Sequence, residues 1–141
     1  MRVLLSIKPD YVSKILDGSK TFEYRRRIFS RLDVTSVIVY CTKPIGRIVA
    51  EFDIRCILKD SPAEIWRETQ HASGISREFF EYYFAGRETA YALSIGSIRR
   101  FREPILPQDV FVNFTPPQSY FYVFADKLLP SCLLEARENA K

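Results

Sequence analysis

Ile48-Val49-Ala50-Glu51-Phe52-Asp53-Ile54-Arg55-Cys56-Ile57-Leu58-Lys59 is the most regular pattern in this chain. Ile48, Ala50, Phe52, Ile54, Cys56 and Leu58 fall on one side, and Glu51, Asp53, Arg55 and Lys59 on the other. A period of two predicts a half-exposed strand, long enough to bend around a small barrel. On that reading Phe52, Ile54 and Cys56 face inward and Glu51, Asp53 and Arg55 face out, because a slip by one residue would carry three charges into the core. Glu51 and Asp53 then read as a solvated exterior rather than an acid–base pair.

The rest of the chain supplies shorter elements around this strand. Val3 to Ile7 is a short buried strand, and Pro9 suits the first position of a helix in which Tyr11, Val12, Ile15 and Leu16 make one apolar face before Gly18 stops it. Thr21 to Arg27 reads as a strand. Ser36 to Cys41 is apolar on both faces and so is central. Ser61-Pro62-Ala63-Glu64 is a capping box opening a helix that runs past Trp66 to about Gln70. Ser76 caps another, ending at Gly86, in which Phe79, Phe80, Tyr83 and Phe84 at helical spacing predict core. Ala90 to Ile98, with a bulge at Gly96, and Tyr120 to Phe124 are further strands. Leu128 to Asn139 is a terminal helix or a frayed tail. The sum is an α+β protein: a small mixed β-barrel with helices beside it, one domain over residues 1–126 and a C-terminal helix or tail over 127–141. The βαβα alternation and Gly-rich turn of a nucleotide-binding sheet are missing.

Composition narrows the chemistry. At 141 residues folding buries roughly 70% of the extended chain's surface, so no disulfide or metal is needed to hold a core. Eleven Phe, eight Tyr and one Trp argue against disorder. A single histidine, His71, leaves little room for a zinc site or a Ser-His-Asp triad, so neither metal nor cofactor is expected. Cys41, Cys56 and Cys132 are widely spaced, the first two reading as small buried hydrophobes. With no apolar run near ~20 residues and no signal-peptide pattern, the reading is cytoplasmic, without a membrane partner. The oligomeric state stays open.

The formal charge is +4, and its placement matters more than its size. Lys14, Lys20, Arg25, Arg26, Arg27 and Arg31 crowd the first quarter, and Arg99, Arg100 and Arg102 form a second cluster. Within the first lies Gly18-Ser19-Lys20-Thr21-Phe22-Glu23-Tyr24-Arg25. If it is extended, Thr21, Glu23, Arg25 and Arg27 share one face, while Phe22, Tyr24 and Arg26 share the other. With Phe22 and Tyr24 in the core, a carboxylate sits between guanidinium groups, and Lys20 can point over the same surface. Cations suit a phosphate or carbonyl oxygen; a carboxylate suits an exocyclic amine or a proton. A strand face whose charges merely neutralise one another explains the alternation at least as well. Tyr40, near a strand end, and Tyr120, after the rigid Pro116-Pro117-Gln118-Ser119 loop with its amide and hydroxyl donors, are candidates for stacking on a base.

Gly18-x-Lys20-x-x-Glu23-x-Arg25 resembles the signature of the ASCH superfamily, in which it follows a first strand and helix, as here. Leu5-Ser6-Ile7-Lys8-Pro9, Tyr40-x-Thr42, Asp60-Ser61-Pro62 and Pro116-Pro117-Gln118-Ser119 are similar to small bacterial, archaeal and phage members, so the resemblance spans roughly residues 1 to 125. It implies a PUA-like barrel with helices packed beside its opening, and a cleft for RNA or a nucleoside-like ligand. By matching position, Lys20, Glu23 and Arg25 line that cleft, with Ser6 and Lys8 close by. One branch of the superfamily deacylates N4-acetylcytidine with Lys, Thr and Glu. Glu23 stands where that branch has its threonine, which speaks against that activity here. Ribonuclease activity is also attributed to the superfamily.

The leading expectation is therefore an RNA- or nucleotide-binding module with a basic cleft, a regulatory protein among its forms. Its ligand contacts are expected from Ser6, Lys8, Lys20, Thr21, Glu23, Arg25, Tyr40, Thr42, Gln118, Ser119 and Tyr120. The alternative is a hydrolase, an amidohydrolase or ribonuclease, acting on a modified nucleoside or RNA with Lys20 and Glu23 as reacting groups. A third reading is a protein-interaction domain with a vestigial cleft.

Overall fold

β-Branched and aliphatic residues crowd Arg2–Ile7 (β1) and Ser36–Cys41 (β3), and the two pair in parallel from Arg2 opposite Ser36 to Ile7 opposite Cys41. A parallel pair needs a crossover, and Pro9–Asp17 (α1) begins it. Gly18 ends α1 at φ 87°, its N–H donating to Ile15 O, a conformation that strains any other residue. The computed structural model describes residues 1–124 and the backbone of residues 136–138.

Phe22–Arg25 (β2), Arg47–Asp60 (β4), Ala90–Ile105 (β5), Tyr120–Val123 (β6) and Ala136–Glu138 (β7) complete one mixed sheet. Its strands run in the order β2-β5-β4-β3-β1-β6, with β7 added to β5. The expected barrel is not formed: β2 and β6 are the two ends of the path and do not pair, so the sheet is open. Local chemistry explains the gap. Pro116 and Pro117 precede β6 and have no N–H to offer a neighbour. A side chain reaches across instead, for Arg25 Nη2 donates to Ser119 O (3.2 Å) beside β6 and to Ser6 O (3.4 Å) on β1.

The long strand also departs from one-face alternation. β4 shifts register against β5 between Ile48 and Ala50, Phe52 and Ile54, and Ile54 and Cys56. Each shift re-aims the residues beyond it. Ile48 thus packs with Leu4, Tyr40 and Phe101; Ala50 and Phe52 with Val3, Val37 and Leu93; Leu58 with Tyr24 and Ile65. Cys56, expected inside, is exposed, and Glu51, expected outside, is buried. Buried Phe52 and Cys41 agree with the sequence reading, and Ile54 is half-buried. On β5 the extra residue falls between Ile95 and Ile98, around Gly96 as anticipated, where a Cβ would stand 3.2 Å from Asp53 O.

Pro62–Thr69 (α2) starts where Ser61 Oγ accepts from Glu64 N. Only half the capping box closes, because Asp60 takes the Ser61 N–H and the Glu64 carboxylate accepts from Arg67. Arg77–Tyr83 (α3) is capped by Ser76 in the same way. Phe80 and Phe84 enter the core against Tyr24 and Trp66, but Phe79 and Tyr83, also expected there, are only half-buried. At the C-terminus the backbone of 136–138 is strand rather than helix; the remainder of the expected helix or tail lies outside the described residues. Among the described residues no helix is long and apolar enough to cross a membrane.

Candidate functional site

Beside the gap between β2 and β6, at the Ser6 end of β1, the sheet and the helices α1 and α3 enclose a cleft of about 460 Å³, a volume that suits a nucleotide-sized ligand. Its floor is the motif strand. Alternation sends Tyr24 into the core, where its hydroxyl meets Thr69 Oγ1 at 2.7 Å and burial pushes its pKa up to about 12. Glu23 and Arg25 are turned into the cleft, where Arg25 Nε stands 3.7 Å from Glu23 Oε2. That is an ion pair but too long for a hydrogen bond.

Lys20 is the unusual residue. It is 1% exposed, a degree of burial that a lysine rarely reaches without a partner. Nζ donates to Ser73 O at 2.6 Å and lies over the Tyr24 and Tyr11 rings, 4.7 and 5.3 Å from their centroids. Burial lowers its pKa to about 8, against the opposing pull of the Glu23 charge. What lets it in is Gly74, at φ 68°, where a Cβ would fall 2.6 Å from that of Lys20. Lys14 Nζ holds the same turn by donating to Gly74 O (2.9 Å).

The cations of this cluster donate to the main-chain carbonyls of Ser73, Ser6 and Ser119. Glu23 is met by charge, and Arg25 Nε is buried without a hydrogen-bond partner among the described residues. A buried carboxylate, guanidinium and ammonium held this way can receive an anionic or polar group in a low-dielectric space, where each is worth more than in water.

Of the residues anticipated as ligand contacts, the cleft brings together Ser6, Lys8, Lys20, Glu23, Arg25, Thr42 and Gln118. The others lie outside its lining. Thr21 tethers its edge, its N–H donating to Ala72 O and its carbonyl accepting from Ile95 N. Tyr40 is 4% exposed, its ring 5.0 Å from that of Phe114 in another core cluster. Tyr120 packs on Phe29 and Tyr122, and Ser119 offers its carbonyl to Arg25.

Sequence reasoning missed the opposite wall, built by Tyr11, Phe79, Tyr82 and Tyr83. Phe79 and Tyr83 stack at 6.3 Å, Tyr11 leans on Phe79 at 6.1 Å, and Lys8 Nζ lies 5.7 Å from the Phe79 centroid. The available signal was an excess of aromatics: four at helical spacing within Phe79 to Phe84 exceed what a short helix with one buried face can hide. The cleft therefore has one polar and one aromatic side.

This chain is similar to the ASCH domain-containing ribonuclease of Zymomonas mobilis, 27% identical over 122 residues that cover 82% of this chain and 80% of that relative. The crystal structure of ASCH from Zymomonas mobilis superposes with a TM-score of 0.83 at 25% identity, covering 89% of this chain and 90% of that one. A serine-to-alanine mutant of the same bacterial protein superposes with a TM-score of 0.81. The ASCH domain model itself matches residues 5–99, from the middle of β1 through the motif strand and into β5. With that match over more than half its length, the chain belongs to the ASCH domain family, of PUA-like type.

Proposed function

We propose that this protein is an RNA hydrolase that cuts a single strand held in the Lys20–Glu23–Arg25 cleft. The observation that carries the reading is Lys20 itself: a buried amine with its pKa lowered to about 8, facing a carboxylate and a guanidinium in one nucleotide-sized cavity. A purely structural lysine gains nothing from such a place, since the core would be better filled by an apolar side chain. The ribonuclease named among its relatives supports the same chemistry.

In this mechanism Glu23 takes the proton from the attacking hydroxyl, a ribose 2′-OH or water, as it bonds to phosphorus. Arg25 and Lys20 face the negative charge that grows on the non-bridging oxygens. Lys20 holds its proton at neutral pH but releases it more readily than an ordinary lysine, so it can also protonate the departing oxygen. Ser6, Lys8, Thr42 and Gln118 supply donors and acceptors for the nucleotide's edges.

A second reading, an RNA- or nucleotide-binding module without turnover, draws on one observation: Lys20 and Arg25 already donate to main-chain carbonyls. Glu23→Gln separates the two, because it keeps the shape and removes the base. With labelled single-stranded RNA the hydrolase reading expects product from the wild type, a rate lower by roughly 10²–10⁴ in the variant, and retained binding by anisotropy. Binding without product from the wild type would leave the module, and loss of both would remove RNA from consideration.

A further inference from the structure

Several arginines in this protein face carboxylates. Arg2 and Arg99 pair with Glu51, Arg31 with Asp33, Arg67 with Glu64, and Arg77 with Glu81. Among the described residues Arg47, Arg55 and Arg100 do not, and neither do Arg26, Arg27 and Arg87. The last three are exposed, and none has an ion-pair partner among the described residues. They come from separate parts of the chain, the end of the motif strand and the turn after α3, yet they line one depression of about 350 Å³. No carboxylate lines it. It shares Arg25, Arg26, Tyr83 and Gln118 with the cleft, so the two adjoin.

The local geometry holds the charges in place. Arg26 lies over the Tyr83 ring at 4.2 Å and donates from Nε to Tyr83 O at 2.8 Å, so the stacked plane is fixed while its terminal amino groups remain for another acceptor. Gly86, at φ 78°, turns the chain after α3, and Arg87 N then donates to Phe84 O at 2.9 Å. Like charges gathered without counterions repel one another, and an anion with several charged oxygens at intervals relieves that repulsion.

We propose that Arg26, Arg27 and Arg87 form a second subsite, a track for the phosphodiester backbone of the strand whose nucleotide occupies the cleft. The inference rests on the RNA reading above and narrows it: the ligand is a single-stranded polynucleotide rather than a free nucleoside. The cleft positions one nucleotide, and the track holds phosphates flanking it.

The test compares a 2′-fluoro uridine hexamer, which has no 2′-hydroxyl to attack its own phosphate, with uridine 3′-monophosphate, both measured by titration across a salt series. The wild type should bind the hexamer much more tightly, and Arg27→Gln/Arg87→Gln should close most of that gap. Losing two phosphate contacts flattens the slope of log K against log salt by about 1.4, roughly a 25-fold loss at 0.1 M salt relative to 1 M. Arg27→Lys/Arg87→Lys should restore the slope. If the wild type binds the hexamer and the glutamine variant shows the same affinity and slope, the track is refuted while the RNA reading stands. If the wild type binds neither ligand, both fall.

Discussion

Two clusters of charge are buried in this sheet, and they are built in opposite ways. Around Glu51, both carboxylate oxygens are engaged: Oε1 accepts from Arg2 (3.3 Å), and Oε2 from Ser36 (2.9 Å) and Arg99 (3.2 Å), with Arg99 also bonded to Asp53 (2.9 Å). Around Glu23 the nearest cation stands at 3.7 Å, and the cluster's donors turn to main-chain carbonyls. One carboxylate is the hub of a network across β1, β3, β4 and β5; the other faces a cavity. Burial of charge alone therefore identifies neither stability nor function. The distinguishing feature is whether the carboxylate's hydrogen-bonding capacity is taken up by the protein.

If the contrast is right, the two clusters should answer differently to mutation. Glu51→Ala strands the largely buried Arg2 guanidinium and leaves Arg99 only Asp53, and should cost roughly 3–5 kcal/mol in urea unfolding, with the folded protein's RNA affinity intact. An unfolding midpoint close to wild type would show that the Glu51 network contributes little and would break the comparison.

Lys20→Met should do the reverse, suppressing RNA cleavage while leaving the unfolding midpoint equal or higher. Its pH dependence gives an independent reading. Above pH 8 the folded state releases the Lys20 proton while the unfolded chain keeps it until about 10.5, so the unfolded state binds more protons. Wild-type stability relative to Lys20→Met should thus rise with pH between those values, by at most roughly 3 kcal/mol, and be flat below pH 8. Cleavage that needs the ammonium should fade as pH passes 8. A stability difference with no pH dependence would show that Lys20 is not held as described.

The smallest effect tests how the lysine is admitted. Gly74→Ala places a methyl 2.6 Å from Lys20 Cβ at φ 68°, costing roughly 1–2 kcal/mol for the left-handed conformation and displacing the lysine. Gly18→Ala, at φ 87° with nothing within 4 Å, carries the conformational cost without the collision. An unfolding loss at least as large as that of Gly18→Ala, with cleavage lowered only in Gly74→Ala, would tie the glycine to the site; equal cleavage in both would untie it.

Much of this was legible along the chain because its causes are local. Pro9 and Gly18 bound α1 where backbone chemistry requires, and Ser61 and Ser76 cap α2 and α3 through bonds that reach three residues. Alternation over Phe22 to Arg25 put Tyr24 on one side and Glu23 with Arg25 on the other, and an extended backbone leaves no other arrangement. The motif's cluster and its neighbours Ser6, Lys8, Thr42 and Gln118 followed from the order of elements that the ASCH resemblance matched.

What required the tertiary structure depended on pairs of segments distant in sequence. Register shifts between β4 and β5 belong to the pairing, so an even pattern from Ile48 to Leu58 concealed three destinations, a buried Glu51 and an exposed Cys56. Whether the sheet closed depended on its two ends meeting, and Arg25 meets Ser119 there with a side chain instead of a strand. The aromatic wall on α1 and α3, Gly74 against Lys20, and Arg87 beside Arg26 and Arg27 all depend on how helices and turns settle over the sheet. By itself, the sequence determined the elements and the chemistry they carry, because propensity, capping and alternation act over a few residues. Only the packed chain decided which charges would be saturated and which left facing a cavity, because hydrogen-bond capacity is used up by partners tens of residues away.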